Sequence, residues 1–348
     1  MTMVDRLGSE ERAAAALVCA PGMEPARVRE LVSRAGSPGR ALARLEERVD
    51  EGQLGELLAR RRTRVYVEGR PGYPIADALP ERPAVLLAEG DAPQVLDRPR
   101  VAVVGTRSAT LHGLRDAHEL GKFLAEAGIT VVSGLAIGID GAAHNGALDV
   151  EGGGVVGVVA TGLDVVYPRR HAALFDRVRR AGLLVSESAF GAQPTRWRFP
   201  VRNRIIAALA DAVVVVEATI AGGARITAGF ALEYGRTVLA VPGSRRNAAA
   251  AGCNALLADG AHPLLDPNDV LVAVGLTPGA RRGWGAPAAR GQPTGDAAAL
   301  LRACGGEPAT ADQLASRTGL APDQVALAAR ELEKGGWLAR DRGYLWPR

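Results

Sequence analysis

Apolar residues follow three different rhythms along this chain. Residues 9–19 and 24–34 place them at helical spacing, with Pro21-Gly22 breaking the two stretches. Ser37-Pro38 opens a third helical stretch that ends near Glu47. Together they predict a helical N-terminal domain over residues 1–75. The cluster Arg60-Arg61-Arg62-x-Arg64 reads as a solvated helix end or linker.

From about Pro83 the rhythm changes to short continuous apolar runs. They are Ala84–Ala88, Val101–Val104, Thr130–Val132, Gly154–Ala160, Leu183–Ser186, Ala212–Val216 and Thr237–Val241. Helical spacing returns between them at 112–127, 139–149, 170–181, 201–210 and 225–235. Strands covered on both faces lose the polar half of their alternation. The pattern therefore predicts an α/β domain over 80–275: a Rossmann-like, doubly wound parallel sheet. Residues 276–295 are rich in Gly, Pro, Ala and Arg and read as a linker. Residues 296–348 give three helices and a hairpin, a winged-helix arrangement. Thr310-Ala-Asp-Gln313 supplies a capping box, and Gly335-Gly336 stops the last helix.

Composition narrows the class. The 348 residues are 47% apolar, with no run of about 18 uninterrupted apolar residues, so no membrane span is expected. The first twenty residues carry too many charges for a secretory signal. Cys19, Cys253 and Cys304 are isolated, which fits a reducing cytoplasm and neither a disulfide framework nor a zinc site. No cofactor is expected. Net charge is only +4, but residues 169–204 hold nine arginines against Asp176 and Glu187. Tyr167, Phe175, Phe190, Trp197 and Phe199 crowd the same region. Guanidinium forks pair with phosphate and aromatic faces stack on bases, so the region points to a nucleic-acid partner.

Two strand-turn-helix junctions offer glycines and free helix amides to an anion. One is Gly105-Thr106-Arg107-Ser108 after Val101–Val104. The other is Ser133-Gly134-Leu-Ala-Ile-Gly138-Ile-Asp140 after Thr130–Val132. Neither is a dinucleotide fingerprint or a P-loop. Asp140 and His144 stand four apart on one helix face, where capping and packing explain them better than acid–base chemistry. Phe199 and Trp197 read as core or interface residues rather than base platforms. One of Arg202 and Arg204 is expected to pair with Glu187 or Glu217. The last helix carries Asp323, Glu331 and Glu333 against Arg330 and Lys334. That acidity favours protein docking over duplex reading.

The motifs occur in a telling order. After the two junctions come Gly162-Leu-Asp164-x-x-Tyr167-Pro168, Ser186-Glu187, Phe199-Pro200-x-Arg202-Asn203-Arg204-Ile-Ile206 and Val241-Pro242-Gly243. Gly252-x-Asn254-x-Leu256-Leu257-x-x-Gly260-Ala261 closes the series. The set resembles the DNA processing protein A family, also called Smf. It departs from that family's pattern at Ala221–Arg225, Ala208-Leu209-Ala210 and Ala251, which removes hydroxyl donors. The resemblance also covers the helical N-terminal domain, of the SAM or helix-hairpin-helix kind, and the winged helix. It implies a cytoplasmic, non-catalytic protein that binds single-stranded DNA during natural transformation. It further implies loading of the RecA recombinase, contact with single-strand-binding protein, and a homodimer built through the Rossmann-like domain. The DNA-binding residues it implies are Gly105, Thr106, Arg107, Ser133, Gly134, Gly138, Arg169, Arg202, Asn203 and Arg204, with Arg107 foremost.

Two other readings stay open. Ala221-Gly222-Gly223-Ala-Arg225-Ile-Thr227 is similar to the Gly-Gly loop of nucleoside monophosphate phosphoribohydrolases of the lysine-decarboxylase-like class. There a glutamate and an arginine cleave a nucleotide. The winged helix alone suggests a transcription regulator.

Overall fold

The computed structural model describes residues 7–45, 49–76, 79–277, 292–305, 307–341 and 343–347. The chain divides into two compact units, Met1–Trp284 and Gly285–Arg348. Most of the stretch read as a linker, 278–291, lies outside the described residues.

The first unit opens with helices α1 (Ser9–Cys19), α2 (Pro25–Ala35), α3 (Pro38–Ala43) and α4 (Glu51–Arg61). Strands β1 (Arg64–Val67), β2 (Val85–Glu89) and β3 (Arg100–Val104) follow. Then come α5 (Leu111–Glu126), β4 (Thr130–Ser133), α6 (Ile139–Leu148), β5 (Val155–Val158), α7 (Ala172–Ala181) and β6 (Leu183–Ser186). The unit continues through α8 (Arg198–Leu209), β7 (Ala212–Val215), α9 (Gly223–Glu233), β8 (Thr237–Ala240), α10 (Ala251–Ala258), β9 (His262–Pro263) and α11 (Asn268–Ala273). Among the described residues these strands form one sheet in the order β1-β2-β6-β5-β4-β3-β7-β8-β9.

The seven strands from β6 to β9 are parallel. The expectation of a wholly parallel sheet needs a correction at one edge. There β2 runs antiparallel to β6, and β1 antiparallel to β2. β1 escaped the sequence reading because it is four residues long and half polar, with only Val65 and Val67 buried. A strand so placed resembles the end of a helical module until its pairing partner is known.

Alternate strand residues feed two cores. Val101, Val103, Val131, Val155 and Val214 face one side, against α5, α6 and α7. Ala102, Val104, Val132, Val156, Val213 and Val215 face the other, against α8, α9 and α10. The alanine-rich α1 is buried from Ala13 to Val18 in the first of these cores, so the N-terminal helices share the sheet's interior.

The second unit holds α12 (Gly295–Cys304), β10 (Ala309–Thr310), α13 (Ala311–Thr318), α14 (Pro322–Lys334), β11 (Leu338–Asp341) and β12 (Tyr344–Pro347). Its sheet runs β10-β12-β11. Thr310 and Gln313 form the capping box read from sequence. Leu300, Leu314, Val325, Leu332 and Leu345 fill its core.

Helices α5 and α6 approach closely because each supplies a glycine at the crossing. A methyl group on Gly146 would stand 1.9 Å from the His118 carbonyl oxygen, and one on Gly121 would stand 2.1 Å from that of Ala143. Alanine is favoured over glycine in a helix interior by about 1 kcal/mol. The backbone clash outweighs that gain. Gly146→Ala is therefore expected to destabilise by about 1–3 kcal/mol, measured as a lower urea midpoint. A raised midpoint would show that the two helices can separate without loss.

Candidate nucleic-acid interface

The chain leaves β3 and β7, which are neighbours, toward opposite sides of the sheet. Their carboxyl ends therefore open a crevice, the usual ligand position in such sheets. A cavity of about 320 Å³ lies there. Gly105, Thr106 and Arg107 line it from the β3 turn, and Ala136 and Asp140 from the start of α6. Phe199, Arg202 and Asn203 come from α8, and Gly222 and Gly223 from the start of α9. The amino ends of α6, α8 and α9 thus converge on one space. Each turns a positive dipole end toward that space, which favours an anion, although the first amide of α6 is already taken within the protein.

Glycine is required where the loops touch. A methyl group on Gly105 would lie 2.4 Å from Ile139 and 2.8 Å from the Glu217 carbonyl oxygen. Gly138 has φ +88, and its methyl would meet the Thr106 oxygen at 2.3 Å. The Ile139 amide donates to that same Thr106 oxygen at 3.3 Å, and the Thr106 amide donates to the Glu217 carbonyl at 2.7 Å. Glu217 is buried, and its carboxylate accepts from the Thr110 amide (2.9 Å) and hydroxyl (2.6 Å). It therefore fixes the far end of the same turn, ahead of α5. The turn presents Arg107, which is exposed, with its guanidinium carbon 5.0 Å from the centre of the Phe199 ring. Phe199 in turn lies 5.5 Å from Tyr167, which is 41% exposed. Guanidinium, phenyl and phenol make one surface row.

Below this row the chemistry is internal. Ser133 is buried and donates its hydroxyl to the Val103 carbonyl at 2.6 Å. Gly134 leaves room for the Arg202 guanidinium, which a methyl there would meet at 2.5 Å. Arg202 is buried and donates to the carbonyls of Gly134 (2.8 Å) and Val158, and through Nε to Asn203 (3.2 Å). Burial pushes its pKa down to about 10, against the pull of Asp140. Burial raises the Asp140 pKa, opposed by Arg202 and by amides of Ala136, Gly134 and Gly105. His144 is fully buried, and desolvation pushes it down to about 4, so it stays neutral. Asn203 ties α8 to the start of α9 through the Gly223 carbonyl at 3.2 Å.

Of the ten residues expected from sequence, Gly105, Thr106, Arg107, Arg202 and Asn203 line the cavity. Gly134 and Gly138 shape its loops from behind, and Ser133 bonds into the sheet. Arg169 is exposed in the turn Arg169–His171, outside the lining. Arg204 is buried elsewhere, pairing with Glu187 and donating to the Glu81 carbonyl at 3.1 Å. Burial raises the Glu187 pKa, and Arg204 opposes that rise. The partner is thus Glu187, not Glu217. Among the nine arginines of 169–204, Arg177 and Arg179 pair with Asp149 and Asp176, and Arg198 grips Glu24 with both bonds at 2.9 Å. Arg169, Arg170, Arg180 and Arg196 remain exposed.

Two contributors come from outside those ten. Phe199 and Trp197, read as core or interface residues rather than base platforms, lie at the surface: Trp197 is 48% exposed and Phe199 lines the crevice. Gly222-Gly223, read as a departure from the family's pattern and as a possible enzyme loop, lines it too. Their position between a strand and a helix is the signal that places them here.

This geometry accompanies a sequence match of wide extent. The family model described as DNA recombination-mediator protein A matches residues 64–275, and the DprA winged helix domain matches 285–343. The chain belongs to the DNA processing protein A (DprA/Smf) family. It is 42% identical over 267 residues to a Mycobacterium tuberculosis protein that bears the DprA name, covering 76% of this chain and 68% of that one. Protein Smf of Escherichia coli is 36% identical, over 75% of this chain and 71% of its own length. The solved DprA of Streptococcus pneumoniae superposes with a TM-score of 0.58 at 34% identity, over 72% of this chain and 83% of that chain. The Helicobacter pylori DprA, solved for its single-stranded DNA binding mode, gives 0.54 at 28% identity, over 61% and 95%.

Within this DprA-family chain, stability separates the arginines of the fold from those offered to a ligand. Arg204→Ala leaves Glu187 buried beside a lost cation and is expected to cost about 3–5 kcal/mol. Arg107→Ala, at an exposed position, is expected to change stability by less than about 0.5 kcal/mol. Chemical denaturation of the two variants checks the order.

Proposed function

We propose that this DprA-family protein binds single-stranded DNA across the crevice at the β3 and β7 ends, largely without reading its sequence. The observation that carries the reading is the Arg107–Phe199–Tyr167 row above three converging helix starts. Phosphates meet the Arg107 guanidinium and the amino end of α9, while bases stack on the surface rings. Arg169, Arg170 and Arg196 extend the positive surface. Arg107 lies over a ring rather than in a fork held for a guanine edge, and neither ring carries the paired donor and acceptor of an Asn or Gln reader.

The family's description as a recombination mediator supports a second step, in which the bound strand is passed to the RecA recombinase. By the same reading the protein protects incoming DNA during natural transformation, beside single-strand-binding protein in the cytoplasm. A homodimer through the Rossmann-like domain doubles the strand length held and raises avidity. Catalysis has weak support. Glu217 is engaged with Thr110, and Arg225 with the Ile220 carbonyl (3.0 Å) and Asp259 (3.5 Å), so the two groups a phosphoribohydrolase would use are occupied.

If each protomer neutralises about five phosphates, the log–log salt slope of oligo-dT binding is roughly −3.5. Affinity then falls about a hundredfold between about 50 and about 200 mM salt. Arg107→Ala is expected to weaken binding and to make that slope shallower by close to one phosphate. A salt-independent affinity, or a duplex competitor that displaces oligo-dT on equal terms, would overturn the single-strand reading.

A further inference from the structure

A second cavity lies on the other side of Pro200. Its volume is about 410 Å³, larger than that of the crevice, and its walls are mostly apolar. Trp197 and Phe230 supply aromatic surface, and Arg29 and Arg204 supply guanidiniums. Pro200 lines both spaces, so the two are neighbours across one exposed residue at the start of α8.

Trp197 is built as a fixed platform. It is 48% exposed, yet the Arg198 guanidinium lies 4.8 Å from its ring centre. That guanidinium cannot swing away, because it grips both Glu24 oxygens at 2.9 Å and the Ser188 hydroxyl at 2.8 Å. Phe230 is steadied by Tyr234, whose ring lies 6.1 Å off in a stacked arrangement. Arg29 and Arg204 both donate to the Glu81 carbonyl at 3.1 Å, and the buried Arg29 Nε has no hydrogen-bond partner. The cavity therefore combines pinned rings with the half-buried Arg29 cation, and Glu24 and Glu81 line it as well. Such a surface suits a planar, electron-rich ring bearing acceptor atoms.

We propose that this cavity is a second base-stacking site, and that it takes an unstacked nucleobase of the same single strand whose phosphates lie in the crevice. The inference rests on the single-strand reading above and extends the strand's path toward the N-terminal helices. Arg29 and Glu24 come from α2 and its start, so the helical N-terminal segment becomes part of the strand's footprint. The ring of a base meets Trp197, and its carbonyl or ring-nitrogen acceptors face Arg29.

Emission and crosslinking test this in the full chain. The protein has four tryptophans, so the difference between wild type and Trp197→Phe isolates the signal of one. Oligo-dT is expected to quench that difference signal. An iodouracil-substituted oligonucleotide is expected to crosslink to Trp197 or Phe230. Trp197→Ala is expected to weaken binding about tenfold, with most of the loss recovered by Trp197→Phe. If Trp197→Ala misfolds, as its urea midpoint would report, the wild-type quenching and crosslinks still decide. Binding that weakens in Arg107→Ala while Trp197 emission and crosslinks stay silent sinks the second site and leaves the crevice intact. A Trp197 signal that answers to RecA and not to oligonucleotide assigns the cavity to a protein and also overturns the proposal. Failure of the wild-type chain to bind oligo-dT removes both readings together.

Discussion

The crevice depends on one buried guanidinium. Arg202 enters from α8, passes through the space that Gly134 leaves open, and bonds to carbonyls at the ends of β4 and β5. A buried acceptor left unpaired costs about 1–3 kcal/mol. Arg202 satisfies both and fastens α8 to the sheet. Asp140, a short distance away, neutralises part of the charge while accepting from the Gly134 amide at 3.1 Å. Everything presented on α8, from Trp197 and Phe199 at its start to Arg204 one turn further in, takes its position from that anchor.

The anchoring also sorts the arginines. A cation that loses its hydration needs fixed acceptors. Arg202 finds them at the carboxyl ends of β4 and β5, and Arg204 in the Glu187 carboxylate and the Glu81 carbonyl, so both become part of the fold. Arg107 sits on a turn whose Thr106 carbonyl already accepts from the Ile139 amide, and its exposed guanidinium points away from the fold. It lies over Phe199 instead. A cation held against a ring at the surface loses little hydration and stays available to a phosphate.

Much of this could be read along the chain, and the part that could not has a physical cause. Glycine turns between strand and helix are local: Gly105 and Gly138 are dictated by neighbours a few residues away and by one adjacent loop. The continuous apolar strands are legible for the same reason. The fate of a charge is not local. Arg198 finds Glu24 at a separation of 174 residues, and Arg61 finds Glu89 across 28. A run of nine arginines therefore looks like one basic face, although the fold turns several of its members onto acids from distant segments. The antiparallel edge escaped likewise, since β1 acquires its strand character only by pairing with β2. Phe199 and Trp197 read as core or interface residues because large rings usually are. Here each is covered on one side by a guanidinium, Arg107 and Arg198 respectively, and remains at the surface.

That arrangement has a consequence for selectivity. Helix amides, guanidiniums and ring faces recognise features that every nucleotide shares: a phosphate and a flat base. Reading adenine at its base edge takes an Asn or Gln held in the open with both donor and acceptor free, and reading guanine takes an arginine fork fixed in the plane of the base. The one amide side chain in the crevice, Asn203, accepts from Arg202 and donates to Gly223, so its polarity is directed into the scaffold. The buried acid–base pair offers no alternative chemistry either. His144 is kept neutral by desolvation, and Asp140 points at backbone amides. A duplex hides its base faces within the stack, whereas a single strand exposes them to rings such as Phe199 and Tyr167. The single-strand reading proposed above therefore rests on which surfaces this crevice leaves open, and needs no element that rejects a duplex.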